Sequence, residues 1–198
     1  MIEWAVASMS LVGESSCGDR HILETFDGGA LIGAMDGLGH GPEAEAASAV
    51  AGEILSEHRE DPVVALVQRC HESLRATRGV AMSLASVSAL DGTMSWLGVG
   101  NVEASVLRDS GTGGPRRQSL VLRGGVVGYR LPRLLPSVVE VRPGDVILFA
   151  TDGVDRSAFE EIRLSEPPKR IADDILARFA RGTDDALALV VRYRGEAA

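Results

Sequence analysis

Asp19, Asp36, Asp152 and the pair Asp184-Asp185 each stand at the start or end of an apolar segment, most of them beside glycine. Charge kept merely for solvation does not fall into that pattern. Carboxylates at strand ends can converge on one edge of a sheet or sandwich, where like charges are unfavourable without cations. Hard divalent ions relieve the repulsion. Mg²⁺ and Mn²⁺ take oxygen ligands in near-octahedral geometry and keep several waters, so a few carboxylates and backbone carbonyls suit them better than His or Cys would. Gly37, directly after Asp36, allows the backbone to approach an ion closely enough for its carbonyl to bind, and Gly153 after Asp152 follows the same logic. Any single Asp-Gly is ordinarily a turn, because these residues dominate turns. Only the joint placement points to a metal site.

His40 follows Asp36 closely, in the loop DGLGHG. It is near enough in sequence to donate a proton to a leaving oxygen or to contact phosphate, and it also fits a loop or helix-cap histidine with no chemical role. Cys17 and Cys70 show neither metal-knuckle spacing nor a disulfide framework, and neither begins the Cys-x5-Arg loop of a cysteine phosphatase. Two such isolated cysteines fit a reducing cytoplasm.

The elements that must position these residues follow from periodicity. Trp4 to Val12 and Gly28 to Met35 read as strands, each ending near an Asp. From Pro42, Ala44, Ala47, Val50, Ala51, Ile54 and Leu55 recur at helical spacing, and Asp61-Pro62 opens a second helix reaching about Ala76. Strands are expected over Ala81 to Leu90, Thr93 to Val99, Glu103 to Arg108, Ser119 to Leu122, Ser137 to Val141 and Val146 to Ala150. Gly111 to Arg117 reads as a flexible hairpin tip. Ile171, Ile175, Leu176 and Phe179 mark a last helix, and Ala186 to Tyr193 a last strand. The order lacks the regular strand-helix alternation of a doubly wound parallel sheet, so an α+β layered domain over residues 1–198 is expected.

Apolar residues make up 45% of the 198 and charged residues 24%, ordinary globular usage. A formal charge of −8, from 28 acidic against 20 basic residues, repels a polyphosphate backbone and argues against nucleic acid. Arg116-Arg117 and the arginines from Arg123 to Arg133 are read as surface charge without an assigned role. No apolar run approaches the ~20 residues a membrane helix needs, and Glu3 stands where a leader would be basic. No membrane partner, a cytoplasmic location and a monomer are expected.

Four ordered motifs, Gly18-Asp19, Ala34-Met35-Asp36-Gly37-Leu38-Gly39-His40-Gly41, Leu148-Phe149-Ala150-Thr151-Asp152-Gly153 and Thr183-Asp184-Asp185-Ala186, resemble those of type 2C metal-dependent protein phosphatases (the PPM superfamily). More closely they resemble its SpoIIE-like and RsbX-like bacterial branch. The resemblance implies a four-layer α-β-β-α sandwich with two antiparallel sheets and a binuclear Mn²⁺ or Mg²⁺ centre. Asp36 would bridge both ions, Gly37 would offer its carbonyl to one, Asp152 and Asp184 would bind the other, and Asp19 would reach an ion directly or through water. Asp185 stands where eukaryotic relatives commonly have Asn, so Asp184 is the ligand chosen, with a slip of one residue left open. Those relatives hold the substrate phosphate with an Arg near the first motif; Arg20 stands on the wrong side of Asp19 and is not carried over.

What the resemblance implies is a serine/threonine phosphatase in which a metal-activated water attacks phosphorus, with Asp36 and Asp19 as catalytic residues; His40 joins them as a candidate only through its place in the loop. Its substrates would be phosphorylated STAS-domain or stressosome-type proteins, or components of an anti-sigma partner-switching circuit. The alternatives are a noncatalytic partner-binding module of the same fold and a phosphatase of small phosphorylated metabolites.

Overall fold

A computed structural model describes residues 2–111 and 115–195. In chain order the elements are β1 (Ile2–Met9), β2 (Asp19–Phe26), β3 (Gly29–Gly37), α1 (Pro42–Glu57), α2 (Val63–Ser73), β4 (Val80–Ser88), β5 (Thr93–Val99), β6 (Glu103–Arg108), β7 (Arg116–Ser119), β8 (Leu122–Arg123), β9 (Ser137–Glu140), β10 (Val146–Ala150), a 3-10 turn (Arg156–Glu160), α3 (Pro168–Phe179) and β11 (Ala186–Tyr193). One sheet runs β1-β11-β10-β6-β7; the other runs β2-β3-β4-β5-β8, with β9 also paired to β5. Every pairing is antiparallel except the short β5–β8 contact.

Alternation along the strands builds the layers. On β3, Ala30, Ile32 and Ala34 face the opposite sheet, where they meet Ile147, Phe149, Leu187 and Leu189. Its other face, Leu31 and Met35, packs on Ala47, Ala51 and Leu55 of α1 and Leu66, Val67 and Cys70 of α2. β11 is buried on both faces: Leu187, Leu189 and Val191 enter the intersheet core, while Ala186, Ala188 and Val190 meet Ile171, Ala172 and Ile175 of α3. The result is the expected four-layer α-β-β-α sandwich. A buried side chain such as Phe149 contributes roughly 1.5–3 kcal/mol relative to an exposed one, so three such seams hold the layers together.

The structure departs from the sequence expectations at three places. β2 had no predicted counterpart. The strand expected over Ser119 to Leu122 is two pieces in different sheets, β7 ending at Ser119 and β8 beginning at Leu122, so the chain changes sheets between them. Of the expected hairpin tip, residues 112–114 lie outside the described residues, and Arg116 and Arg117 are already in β7. Among the described residues no helix is long and apolar enough to cross a membrane.

Candidate metal centre

Antiparallel register brings the chemistry to one end of the sandwich. Asp19 opens β2 directly opposite Asp36 near the end of β3. In the other sheet Ala150, the last residue of β10, is paired with Ala188 near the start of β11 and with Glu103 at the start of β6. Asp152 leaves the first of these strands and Asp184 precedes the second, so both sheets deliver carboxylates to the same edge.

Asp19 is nearly buried, and its Oδ2 accepts a 2.6 Å hydrogen bond from the Thr151 hydroxyl of the opposite sheet. Burial pushes its carboxyl up to about 8; the Thr151 bond opposes the rise, and the charges of Asp36, Asp185 and Asp152 add to it. Burial likewise pushes Asp36 up to about 7, with Asp152 and Asp184 contributing and a hydrogen bond from Asn101 opposing. The cause in both is the same. Negative charge is confined where water solvates it poorly, and nearby carboxylates compound the cost.

Asn101 binds the two halves of the cluster. Its amide donates to Asp152 Oδ2 at 2.6 Å and also interacts with Asp36, so one side chain orients carboxylates from both sheets. Sequence reading missed it. It lies in the β5–β6 connection after Gly100, which has φ 98°, and a lone Asn in a turn carries no periodic signal.

The adjacent acids at 184 and 185 have different tasks. Asp185 is buried, and its two oxygens accept from the backbone amides of Leu11 at 2.7 Å and Gly18 at 2.6 Å. Those bonds tie the β1–β2 connection to the start of β11. Asp184 is partly exposed and accepts only a local bond from the Asp185 amide, while its charge acts on Asp36.

The glycines after the aspartates are required by packing. A Cβ on Gly37 would sit 2.1 Å from the Ala44 carbonyl oxygen of α1, and one on Gly153 would sit 1.9 Å from the Asp185 carbonyl oxygen. The Gly37 amide donates to Gly18 O at 3.1 Å, which fixes the strand end beside Asp19. His40 lies on the exposed loop that follows, its Nδ1 paired with Glu14 at 2.8 Å. Arg20 points to the outer face, against Gly52 of α1. Burial raises the Cys17 thiol above its usual value, which leaves it a poor nucleophile.

Among the described residues, no group of three or more His, Cys, Asp or Glu closes on one point as a finished cage. The aspartates nevertheless act on one another electrostatically. Carboxylates spaced in this way fit hard ions that retain several waters, and positive charge is what the raised Asp19 and Asp36 lack. The donor set is all oxygen.

Comparison with known proteins agrees. Phosphoserine phosphatase RsbX of Bacillus subtilis (strain 168) is 26% identical over 110 residues, which are 56% of this chain and 55% of that protein; the match thus spans about half the length of the curated relative. A solved structure from the bacterial stressosome, described as a modular system adapted to control secondary messenger signaling, superposes with a TM-score of 0.87 at 26% identity and covers 97% of this chain and 100% of that one. RsbX in complex with magnesium superposes with a TM-score of 0.82 at 19% identity, over 96% of this chain and 94% of that one. The profile of the family described as Stage II sporulation protein E (SpoIIE) matches residues 27–194, most of the chain and three of the four motif aspartates, and the protein therefore belongs to the SpoIIE family.

Proposed function

We propose that this protein is a metal-dependent serine/threonine phosphatase acting on phosphorylated regulatory proteins of the STAS-domain, stressosome or partner-switching kind. The observation that carries the reading is the gathering of Asp19 and Asp36 from one sheet near Asp152 and Asp184 from the other, with the carboxyls of Asp19 and Asp36 raised by burial and by the charges of their neighbours. In this reading Asp36, the Gly37 carbonyl, Asp152 and Asp184 would hold the Mn²⁺ or Mg²⁺ ions. Asp19, buried and held by Thr151, would reach an ion directly or through water.

Ions held there supply an activated water and offset charge on the phosphoryl oxygens. The chain's own residues do the positioning. Asn101 fixes Asp152 and steadies Asp36, Asp185 locks the β1–β2 connection ahead of Asp19, and Glu14 holds the ring of His40. His40 is the proposed donor of a proton to the departing seryl or threonyl oxygen. The match to a phosphoserine phosphatase and the fold shared with a magnesium-bound RsbX support the phosphatase reading as a whole.

The test is to incubate the protein with Mn²⁺ and phosphorylated STAS-domain candidates, alongside Asp36→Asn. Phosphate release by the wild type alone supports site and substrate class together; equal release by the variant removes Asp36 from the mechanism.

A further inference from the structure

Asp152 and Asn101 also line a cleft of about 420 Å³ whose other walls include Glu103 of β6, Arg156 and Phe159 of the 3-10 turn, and Arg181 beyond α3. A second cleft, of about 310 Å³, is lined by Arg108 of β6 and by Arg116 and Arg117 of β7, an edge strand. Arg117 joins the two. Its guanidinium lies 4.4 Å from the centre of the Phe159 ring and 3.5 Å from Glu103, both of which wall the first cleft.

The local charge is opposite to that of the molecule. The chain carries −8, yet these joined clefts are lined by Arg108, Arg116, Arg117, Arg156 and Arg181 against only Glu103 and Asp152. Glu103 pairs with both Arg117 and Arg156, so it balances one cation and leaves the other in excess. Asp145 matches Arg108, and Asp155 reaches Arg181 at 3.4 Å. Among the described residues Arg116 has no carboxylate partner. Asp152 belongs to the metal centre, so bound ions would withdraw its charge from this count.

We infer that this strip docks an acidic segment adjoining the phosphorylated serine or threonine of a protein substrate. The inference rests on the phosphatase reading and names what the enzyme recognises beyond the phosphate. Asp152 lines the first cleft together with Arg156 and Arg181, so a chain whose phosphoryl group lies at the metal centre would have these two arginines beside its flanking residues. Guanidinium groups grip carboxylates through paired N–H donors. The side chain of Arg156 is 75% exposed and that of Arg181 45%, which places them as rim charges that set encounter rate and selectivity. A longer polyanion such as nucleic acid would extend past the strip onto a surface that is net negative.

The test reads binding first. Fluorescein-labelled, unphosphorylated serine peptides with Asp/Glu flanks or with Ala flanks are titrated with the full chain in Mn²⁺ and followed by anisotropy. The acidic peptide is expected to bind about tenfold more tightly, with the preference shrinking as salt rises from about 50 to about 300 mM. Arg156→Glu combined with Arg181→Glu should abolish or reverse it; Arg156→Lys with Arg181→Lys should retain most of it, and thermal melts check that both variants fold. Equal binding of the two peptides by wild type, a preference that survives the double reversal, or competition by a single-stranded oligonucleotide as strong as by the acidic-flank peptide would overturn the inference. Because these peptides carry no phosphate, the outcome does not depend on turnover. Hydrolysis of the phosphorylated pair then judges the phosphatase reading on its own.

Discussion

The Thr151 hydroxyl donates to Asp19 across the gap between the two sheets, at 2.6 Å, and the same oxygen accepts the Leu187 amide at 2.9 Å. One threonine therefore couples the Asp19 carboxylate to the backbone of β11. Thr151→Val keeps the shape and removes both bonds. A loss of about 1–3 kcal/mol is expected for buried partners left unsatisfied, read as a lower melting temperature. Mn²⁺ affinity should weaken as well, measured by calorimetry. A variant that melts and binds metal like wild type would show the bond to be dispensable.

Metal-free stability should depend on pH with a definite sign. Asp19 and Asp36 are raised in the folded chain from 3.8 to about 8 and about 7, so the folded state holds protons that the unfolded state has released. Their contribution is full below the unfolded value and is lost as pH rises through 7 and then 8. Chelated protein should therefore melt at a lower temperature at pH 8.5 than at pH 6, and added Mn²⁺ should raise the melting temperature more at the higher pH. Asp36→Asn should flatten the dependence. A melting temperature that climbs from pH 6 to 8.5 in the chelated wild type would contradict these raised values.

The neighbours Asp184 and Asp185 should separate cleanly on mutation. Asp184→Asn is expected to cost turnover about 100-fold or more, as loss of an ion that activates water would, with the melting temperature of the metal-free protein little changed. Asp185→Ala strands the Leu11 and Gly18 amides and should cost about 3 kcal/mol or more. Circular dichroism melts and phosphopeptide turnover distinguish them. The reverse pattern would exchange their roles.

His40→Ala should lower kcat by about 100-fold, the scale of general acid catalysis, and should remove the alkaline limb of the kcat profile. The measurement is turnover of a phosphopeptide across pH at saturating Mn²⁺. Glu14→Gln, which weakens the hold on the ring, should cause a smaller fall. Unchanged kcat and an unchanged profile in His40→Ala would return His40 to a loop residue.

What sequence could show here was whatever repeats or clusters. α1, β10 and β11 were legible because their apolar spacing is dense and local. β2 was not: it is an edge strand touched on both faces, with Ile22 packed toward the helices and adjacent Leu23 toward the opposite sheet, and its remaining positions are largely polar. Alternation fails under those conditions. The switch of sheets between β7 and β8 is a long-range event that no window of sequence contains. At the site, the aspartates stood out through placement beside glycine, although the glycines prove to be demanded by Ala44 and by the Asp185 carbonyl. Asn101 and Thr151 act through partners far along the chain, so their roles emerge only when the sheets meet.

The grip of Asp185 on Leu11 and Gly18 spans nearly the whole length of the polypeptide. A nascent chain still short of β11 already contains Asp19, Asp36 and Asp152, but lacks the carboxylate that fastens the Leu11 and Gly18 amides. The proposed hydrolysis should thus await the emergence of β11 from the ribosome.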